Sequence, residues 1–181
     1  CMDRAGLVGQ DGPTHNGVFD TAYLRTLPNV VLCAPRDETD MRRMLAMALA
    51  RTGPTALRYP RANSPADERL PAAGRREMEP GKAEVLCEAD GPGGLVVWAF
   101  GALVEEAREV ADRFRRRGIS IGVVDARFAK PLDEELLARH LGAHRWLITL
   151  EEHQRAGGFG AAVLEAASRL PVATGGREPA R

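Results

Sequence analysis

The stretch Leu95-Val-Val-Trp-Ala-Phe100 decides the fold class of this chain. It contains no charged side chain, which is typical of a strand whose two faces are both covered by helices in a parallel sheet. Two further apolar stretches, Ile119–Val124 and Trp146–Leu150, follow at helix-length intervals. Strands that alternate with helices in this way predict an open, mostly parallel α/β sheet with right-handed crossovers.

The residues between these strands carry the apolar periodicity of helices. Side chains spaced by three or four residues predict a helix between the first two strands, which Gly118 ends. The apolar side chains with this spacing are Leu103, Ala107, Val110 and Phe114. Leu136, Leu137 and Leu141 indicate a shorter helix before the third strand, and 159–170 form the predicted last helix.

An earlier strand–helix–strand unit precedes this sheet. The apolar run Val30–Ala34 ends at Pro35 and predicts a buried strand. Asp37 is expected to cap the next helix, where carboxylates suit the positive end of the helix dipole. The predicted apolar face of that helix consists of Met41, Met44, Leu45, Ala48 and Leu49. Thr55–Tyr59 then reads as a second strand.

Between these two units the apolar periodicity disappears. Residues 63–82 contain several prolines and many charges, so we predict a linker there. The predicted domains are therefore 1–62 and 83–181. Because the chain opens at Cys1-Met2-Asp3 in what reads as the end of a strand, we expect a fragment, with its second domain incomplete at its end.

Composition sets limits on the partners of the chain. Hydrophobic residues make up 44% and charged residues 28% of the 181 residues, as in globular proteins with a buried core. Lys plus Arg and Asp plus Glu number 25 each, so no global field favours nucleic acid or an anionic membrane. Three cysteines without CxxC spacing, together with the absence of a ~20-residue apolar stretch or a signal peptide, predict a cytoplasmic location.

A glycine-rich loop near the start of the chain is the candidate for chemistry. Residues 3–17 combine four glycines and a proline with Arg4, Asp11, Thr14 and His15. Such a loop at the carboxyl end of a strand is where open α/β sheets bind ligands. The residues alone leave two interpretations open, which are a ligand-binding loop and a surface Ω-loop with incidental polar side chains.

Three groups of motifs carry a resemblance to one enzyme family. The first is Asp3-Arg-Ala-Gly-Leu-Val-Gly9 followed by Asp11-Gly-Pro-Thr-His-Asn-Gly-Val-Phe-Asp20 and Tyr23-Leu-Arg25. The second is Arg58-Tyr-Pro-Arg61 and the third is Phe128-Ala-Lys-Pro-Leu-Asp133, both in the same order and spacing. Together they make the chain resemble the 1-deoxy-D-xylulose-5-phosphate synthases from Asp3 to about Leu170.

This resemblance implies an α/β fold with two open, mostly parallel sheets and flanking helices. The sheets would belong to a partial transketolase pyrimidine-binding domain and a transketolase C-terminal domain. The family joins pyruvate to D-glyceraldehyde 3-phosphate with release of carbon dioxide, using thiamine diphosphate and Mg²⁺, and it is expected to form homodimers. The products feed isoprenoid, thiamine and pyridoxal biosynthesis.

The resemblance also implies roles for four residues. Arg4 and Arg61 fall on the two arginines that hold the acceptor phosphate, and guanidinium groups match phosphate oxygens. His15 falls on the catalytic histidine, and imidazole titrates near neutral pH as proton transfer requires. Asp11 matches an acidic residue near the acceptor hydroxyls. Without the resemblance, Arg4 would be expected to pair with an aspartate, and Arg61 to be a solvated charge at a strand end.

Departures from the family limit what this chain is expected to do alone. The larger N-terminal domain and the glutamate that activates the cofactor ring are absent, so no cofactor or metal ligand is assigned here. Ala62 stands where a glycine commonly follows the Arg58-Tyr-Pro-Arg61 motif, and the tail beyond Leu170 no longer resembles the family. We therefore expect the chain alone to be inactive.

Two alternatives follow from the same residues. A Gly-Pro-Thr-His core also suits transketolases, so a transketolase or a 2-oxoacid dehydrogenase E1 β-type subunit is the alternative among thiamine enzymes. An alternative of another class is a non-catalytic dimerisation or interaction module, because the C-terminal α/β domain of this family helps form dimers.

Overall fold

The computed structural model describes residues 1–63, 78–90 and 94–170. Its first half contains a 3-10 turn at Pro13–His15, helix α1 (Asp20–Thr26), strand β1 (Val31–Cys33), helix α2 (Glu38–Ala50) and strand β2 (Thr55–Leu57). Strands β1 and β2 are parallel, with Leu32 opposite Ala56. The predicted strand–helix–strand unit is confirmed, with shorter strands than expected. Most of the predicted linker and the tail beyond Leu170 lie outside the described residues.

The second half supplies a larger sheet and three helices. Its elements are β3 (Glu84–Cys87), β4 (Leu95–Ala99), α3 (Val104–Arg115), β5 (Ile121–Asp125), β6 (Phe128–Lys130), α4 (Glu134–Ala143), β7 (Trp146–Leu150) and α5 (Phe159–Ala167). The sheet order is β3-β5-β4-β7. Strand β4 is parallel to both β5 and β7, so the predicted parallel sheet is confirmed. Strand β3, which the sequence analysis did not predict, adds an antiparallel edge.

Strand β6 joins the two halves of the chain. It pairs antiparallel with β1, which gives the smaller sheet the order β2-β1-β6. A strand from the second half thus completes the sheet of the first half. One buried apolar cluster also spans both halves, since Leu32 and Ala34 pack with Trp98, Phe100 and Phe159. The predicted domains 1–62 and 83–181 therefore share a core.

The apolar faces of two helices differ from the predicted ones. In α2, Met44 and Met47 are buried, whereas Leu45 and Leu49 are 43% and 79% exposed. The face runs instead through Asp40, Met44 and Met47, because the carboxylate of Asp40 belongs to a buried ionic cluster. In α3 the buried side chains are the smaller Val104, Ala107 and Ala111, and Val110 and Phe114 stay partly exposed. Small side chains there let α3 lie close to β5.

That buried ionic cluster joins side chains from the two halves of the chain. Arg36, on the loop after β1, is 2% exposed. Its Nη1 donates to Glu84 at 2.7 Å and to Asp125 at 3.1 Å, and its Nε lies 3.4 Å from Asp40. Burial works to lower the pKa of Arg36, but the carboxylates, with Asp125 foremost, raise it. Removing such a pair's cation would leave uncompensated buried charge.

The pH dependence of this cluster can be tested at Asp125. Burial raises the pKa of Asp125 to about 7, although Arg36 counteracts it. The folded state therefore holds a proton that the unfolded state has lost, and stability from this group falls as the pH rises from about 4 to about 7. Asp125→Asn removes this titration. We expect its stability relative to the wild type to improve over that range, by at most about 1.4 kcal/mol per pH unit.

Urea unfolding at several pH values measures this difference. A constant difference between the variant and the wild type across the range would contradict the prediction.

No helix within the described ranges is long and apolar enough to cross a membrane.

Candidate functional site

Backbone pairing brings the start of the glycine-rich loop beside the end of β2. The N–H of Met2 donates to the carbonyl of Leu57 at 2.8 Å, and the N–H of Tyr59 donates back to Met2 at 2.9 Å. The N–H of Ala5 then donates to the carbonyl of Tyr59 at 3.0 Å. Residues 2–5 thus form a further extended segment next to 57–59. This pairing places Arg4 and the Arg-Tyr-Pro-Arg motif at one end of the small sheet.

The loop is closed at its base by two glycines. Gly6 and Gly17 exchange backbone hydrogen bonds of 3.1 and 3.0 Å. A Cβ at Gly17 would lie 2.1 Å from the carbonyl oxygen of Arg4, so no larger residue fits this crossing. Inside the loop, the N–H of Val8 donates to Oδ1 of Asn16 at 2.6 Å. The loop therefore has a defined shape, as expected for a rigid Ω-loop or a ligand-binding loop.

The two predicted phosphate arginines meet at one carboxylate. Nε of Arg4 lies 2.5 Å from Oδ2 of Asp11, and Nη1 of Arg61 donates to Oδ1 of the same group. The bond from Arg61 is the main reason that the pKa of Asp11 is lowered, and Arg4 adds to it. Arg4 also donates to Asp3 at 2.5 Å. The structure thus brings Arg4, Asp11 and Arg61 together.

This arrangement also contains the ion pairs expected without any ligand. Without the resemblance, Arg4 was expected to form a salt bridge with an aspartate, and in the structure it pairs with both Asp3 and Asp11. The alternative interpretation of Arg61, a solvated charge, is compatible with the structure, because this side chain is 46% exposed although it pairs with Asp11. One carboxylate that pairs with two guanidinium groups keeps like charges side by side, which separate surface arginines would not do.

His15 lies on the same side of the loop as Arg4. Both line a cavity of about 380 Å³, together with Asp3, Phe19 and Tyr23. The His15 ring is exposed, and its Nδ1 lies 2.8 Å from the hydroxyl of Thr14. Which of the two groups donates depends on the tautomer. Neither Arg61 nor Asp11 is among the residues that line this cavity, so both are linked to it through Arg4.

Arg58 supports the base of the loop, although the motif that contains it gave it no predicted role. It is 1% exposed. Its Nε donates to Asp20 at 2.9 Å, and its Nη2 donates to the carbonyls of Gly17 and Glu152 at 2.9 and 3.0 Å. Its position inside the Arg58-Tyr-Pro-Arg61 motif was the available signal. Its contacts to distant segments could not be read from the sequence.

The second half contributes the loop Glu151–His153 to the base of the site. Glu151 accepts from the N–H groups of Phe159 and Gly160 at 2.6 and 2.8 Å, so it caps α5, where a carboxylate suits the positive end of the helix dipole. Burial raises the pKa of Glu152, whose carboxylate lies against Gly6. Both halves therefore support the loop that carries Arg4 and His15.

A larger cavity lies beside this site and contains none of the four predicted site residues. Its volume is about 580 Å³. It is lined from the first half by residues that include Tyr59, Pro60 and Ala62, and from the second half by Leu103 and Glu152 among others. Pro60 and Ala62, which line it, flank Arg61 in the sequence. The small loop cavity, by contrast, combines a cation with an imidazole.

The described residues contain one group that has the spacing of a metal site. Ligand atoms of Asp40, Glu84 and Asp125 lie within 4.8 Å of one another. Arg36 and Arg127 pair with these carboxylates, so two guanidinium groups already supply the positive charge. We therefore interpret the group as an ion-pair cluster. It does not fit a magnesium diphosphate, which needs open, oxygen-rich coordination positions.

Comparison with known proteins places this fold in one class. Residues 1–66 match the model of the transketolase pyrimidine binding domain, and residues 81–181 match that of the transketolase C-terminal domain. A solved split-gene transketolase, described as an inactive β4 tetramer, superposes with a TM-score of 0.80 at 31% identity, covering 94% of this chain and 53% of that one. Campylobacter jejuni transketolase shares the fold, with a TM-score of 0.61 at 20% identity over 86% of this chain and 27% of that one.

The chain belongs to the transketolase C-terminal domain family. Within it, the predicted resemblance to 1-deoxy-D-xylulose-5-phosphate synthases is confirmed. The Thermomicrobium roseum synthase is 52% identical over 170 residues, which are 91% of this chain and 26% of that protein. The Synechococcus elongatus synthase is 47% identical over 168 residues, again 91% of this chain and 25% of that protein. The chain thus spans about a quarter of the length of these relatives.

Proposed function

We propose that the protein to which this chain belongs is a thiamine-diphosphate-dependent transferase of the 1-deoxy-D-xylulose-5-phosphate synthase type. It would join pyruvate to D-glyceraldehyde 3-phosphate with loss of carbon dioxide, and act as a homodimer. This chain would supply the part of the site that binds the phosphate of the acceptor. The supporting observation is the convergence of Arg4 and Arg61 on Asp11.

The charges at this point suit a phosphorylated acceptor. The chain has a formal net charge of zero, so an anion must be attracted by a local arrangement of cations. Arg4 and Arg61 provide two guanidinium groups, which match phosphate oxygens with paired donors. Asp11 holds them at a fixed separation before the substrate arrives. Preorganised donors of this kind lose little conformational freedom on binding.

His15 would serve the reacting end of the acceptor. It shares a cavity with Arg4, so an aldehyde whose phosphate is held by the arginines would reach the imidazole. An imidazole can give a proton to the oxygen that becomes a hydroxyl, and can take one back. The exposed ring of His15 is placed for contact with a ligand rather than with the core.

The cofactor belongs to other parts of the proposed enzyme. In thiamine enzymes thiamine diphosphate supplies the carbanion chemistry, and the protein orients the reactants. The carboxylate group described above is filled by arginines, so we assign no Mg²⁺ or diphosphate contact to the described residues. The role of this chain is to bind and orient the acceptor and to move a proton at His15.

Replacing Arg61 tests this proposal in the complete protein. Arg61→Ala should raise the KM for D-glyceraldehyde 3-phosphate about ten- to a hundred-fold, the factor for one lost charge-assisted hydrogen bond. The KM for pyruvate should change little, since pyruvate carries no phosphate. Steady-state kinetics with each substrate varied in turn gives both values.

The exposed Arg113 on α3 provides the matched control. Arg113→Ala removes the same charge far from the loop and should leave both KM values unchanged. An Arg61→Ala enzyme with the wild-type KM for the acceptor would remove Arg61 from the phosphate site. A wild-type protein that forms no deoxyxylulose phosphate would overturn the proposed reaction itself.

A further inference from the structure

We propose that Arg58 is a positioning residue that sets the phosphate preference of the acceptor site by holding the base of the glycine-rich loop. The inference rests on the proposed function and deepens it. Arg58 does not line the loop cavity, whose residues include Arg4, His15 and Gly17. It would therefore act through other groups, and the geometry points to Gly17 as the group through which it acts.

The guanidinium group of Arg58 joins the end of β2 to two segments that are distant in the sequence, 17–20 and Glu152. Arg58 follows β2, and its own N–H donates to the carbonyl of Cys33 on β1 at 3.0 Å. Its side chain then reaches Asp20 at the start of α1, Gly17 at the end of the loop and Glu152 in the second half. These bonds hold the loop, the small sheet and the second half in one fixed relation.

The contact at Gly17 carries this restraint to the phosphate arginines. Gly17 crosses the backbone of Arg4 so closely that a Cβ would reach the Arg4 carbonyl oxygen. The carbonyl of Gly17 accepts from Arg58 and also from the N–H of Gly6. A shift of Gly17 would therefore move Arg4 on one side and His15, two residues earlier, on the other. Arg61 would lose its alignment with Arg4, since both depend on Asp11 in the same loop.

The planar fork of arginine is needed for this arrangement. Nε serves Asp20, and the two hydrogens of Nη2 serve the carbonyls of Gly17 and Glu152. A lysine has one compact ammonium group and lacks a donor at the Nε position. Arg58→Lys would keep a positive charge to pair with the buried Asp20 while losing the fixed bonds to the loop. The lysine variant therefore separates positioning from charge compensation.

Arg58→Lys in the complete protein is the experiment. We expect the KM for D-glyceraldehyde 3-phosphate to rise about ten-fold, a fraction of the roughly hundred-fold cost of a 1 Å displacement at a site. The KM for pyruvate should stay within about two-fold of the wild type, because uniform binding of the donor is untouched. With unphosphorylated D-glyceraldehyde as the acceptor, kcat/KM should fall less than with the phosphorylated one. A displaced His15 affects both acceptors, whereas displaced arginines affect only the phosphorylated acceptor, so the preference for phosphate should fall about ten-fold.

Arg36→Lys is the matched control for a purely structural effect. Arg36 is also a buried arginine that joins the two halves, but its described ion-pair partners lie outside the loop, at Asp37, Asp40, Glu84 and Asp125. It should lower the unfolding temperature and leave the phosphate preference as in the wild type. Both variants are assayed well below their unfolding temperatures.

The outcomes separate this inference from the proposed function. If the wild type and Arg36→Lys prefer the phosphorylated acceptor and Arg58→Lys keeps the same preference, Arg58 is structural only and the inference is overturned. If Arg58→Lys impairs both acceptors and pyruvate equally, it is overturned as well. A wild-type protein that makes no product from either acceptor would instead refute the proposed function. Selective loss of the phosphate preference in Arg58→Lys supports the inference.

Discussion

Gly17→Ala should be among the most damaging single methyl additions in the described part of this chain, with a loss of more than about 3 kcal/mol of stability. The new Cβ would lie 2.1 Å from the carbonyl oxygen of Arg4 and 2.9 Å from its carbonyl carbon. Overpacking against side chains costs about 1–3 kcal/mol, because side chains can rotate away. Here the obstacle is backbone that pairs with the end of β2, and it cannot move without breaking that pairing.

Gly9→Ala is the control for this change. Gly9 belongs to the same loop, and no described atom outside its chain neighbours lies within 4 Å of a Cβ placed there. We expect it to be within about 0.5 kcal/mol of the wild type. Urea unfolding of both variants, followed by circular dichroism, makes the comparison. A Gly17→Ala variant as stable as Gly9→Ala would show that the loop does not cross Arg4 as described.

The fold could be predicted where apolar side chains follow a single period. Strands β4, β5 and β7 are nearly continuous apolar runs, and their parallel order follows from the helices between them. Asp37 caps α2 as expected, since its side chain accepts from the N–H of Asp40 at 2.7 Å. Local rules of this kind depend only on neighbours in the sequence, which is why they survive in the folded structure.

The sequence predictions of the fold were wrong or incomplete where tertiary contacts override the local pattern. The buried face of α2 includes Asp40 and excludes Leu45 and Leu49. The Asp40 carboxylate pairs with Arg36 from outside the helix as well as with Arg43 within it. Strand β6 is three residues long and pairs with a strand far earlier in the chain. A single hydropathy profile contains no information about either partner.

The candidate site shows the same division. Arg4, Asp11, His15 and Arg61 were named because their motifs resemble a family, and the structure brings three of them into direct contact and places His15 in a cavity with Arg4. Arg58 lies in the same motif as Arg61, yet its importance comes from acceptors at positions 17, 20 and 152. Residues that support a site are recognised by their partners, and partners distant in the sequence become visible only in three dimensions.

Arg36→Met is expected to be comparably destabilising, with a loss of about 3–5 kcal/mol near pH 8. Methionine approximates the apolar stem of arginine but lacks its charge, so the packing changes little and the electrostatic loss is isolated. Asp40 and Asp125, both fully buried, would lose the nearer of the two guanidinium groups that they share, since Nε of Arg127 lies 3.9 and 3.8 Å from them. Because neither carboxylate is exposed to solvent, water cannot replace the lost ion pair. Removing one partner of a buried ionic group therefore costs far more than removing a surface charge.

The pH dependence distinguishes this electrostatic loss from a packing defect. Burial already raises the pKa of Asp125 to about 7, and without Arg36 it should rise further, so the folded state binds a proton that the unfolded state releases above about pH 4. The deficit of Arg36→Met should therefore be smaller at pH 5 than at pH 8. Arg113→Ala, which removes an exposed cation, should cost less than about 1 kcal/mol at either pH. A deficit of Arg36→Met that is equally large at both pH values would point to lost packing, and a deficit as small as that of Arg113→Ala would show that the ionic cluster does not join the two halves.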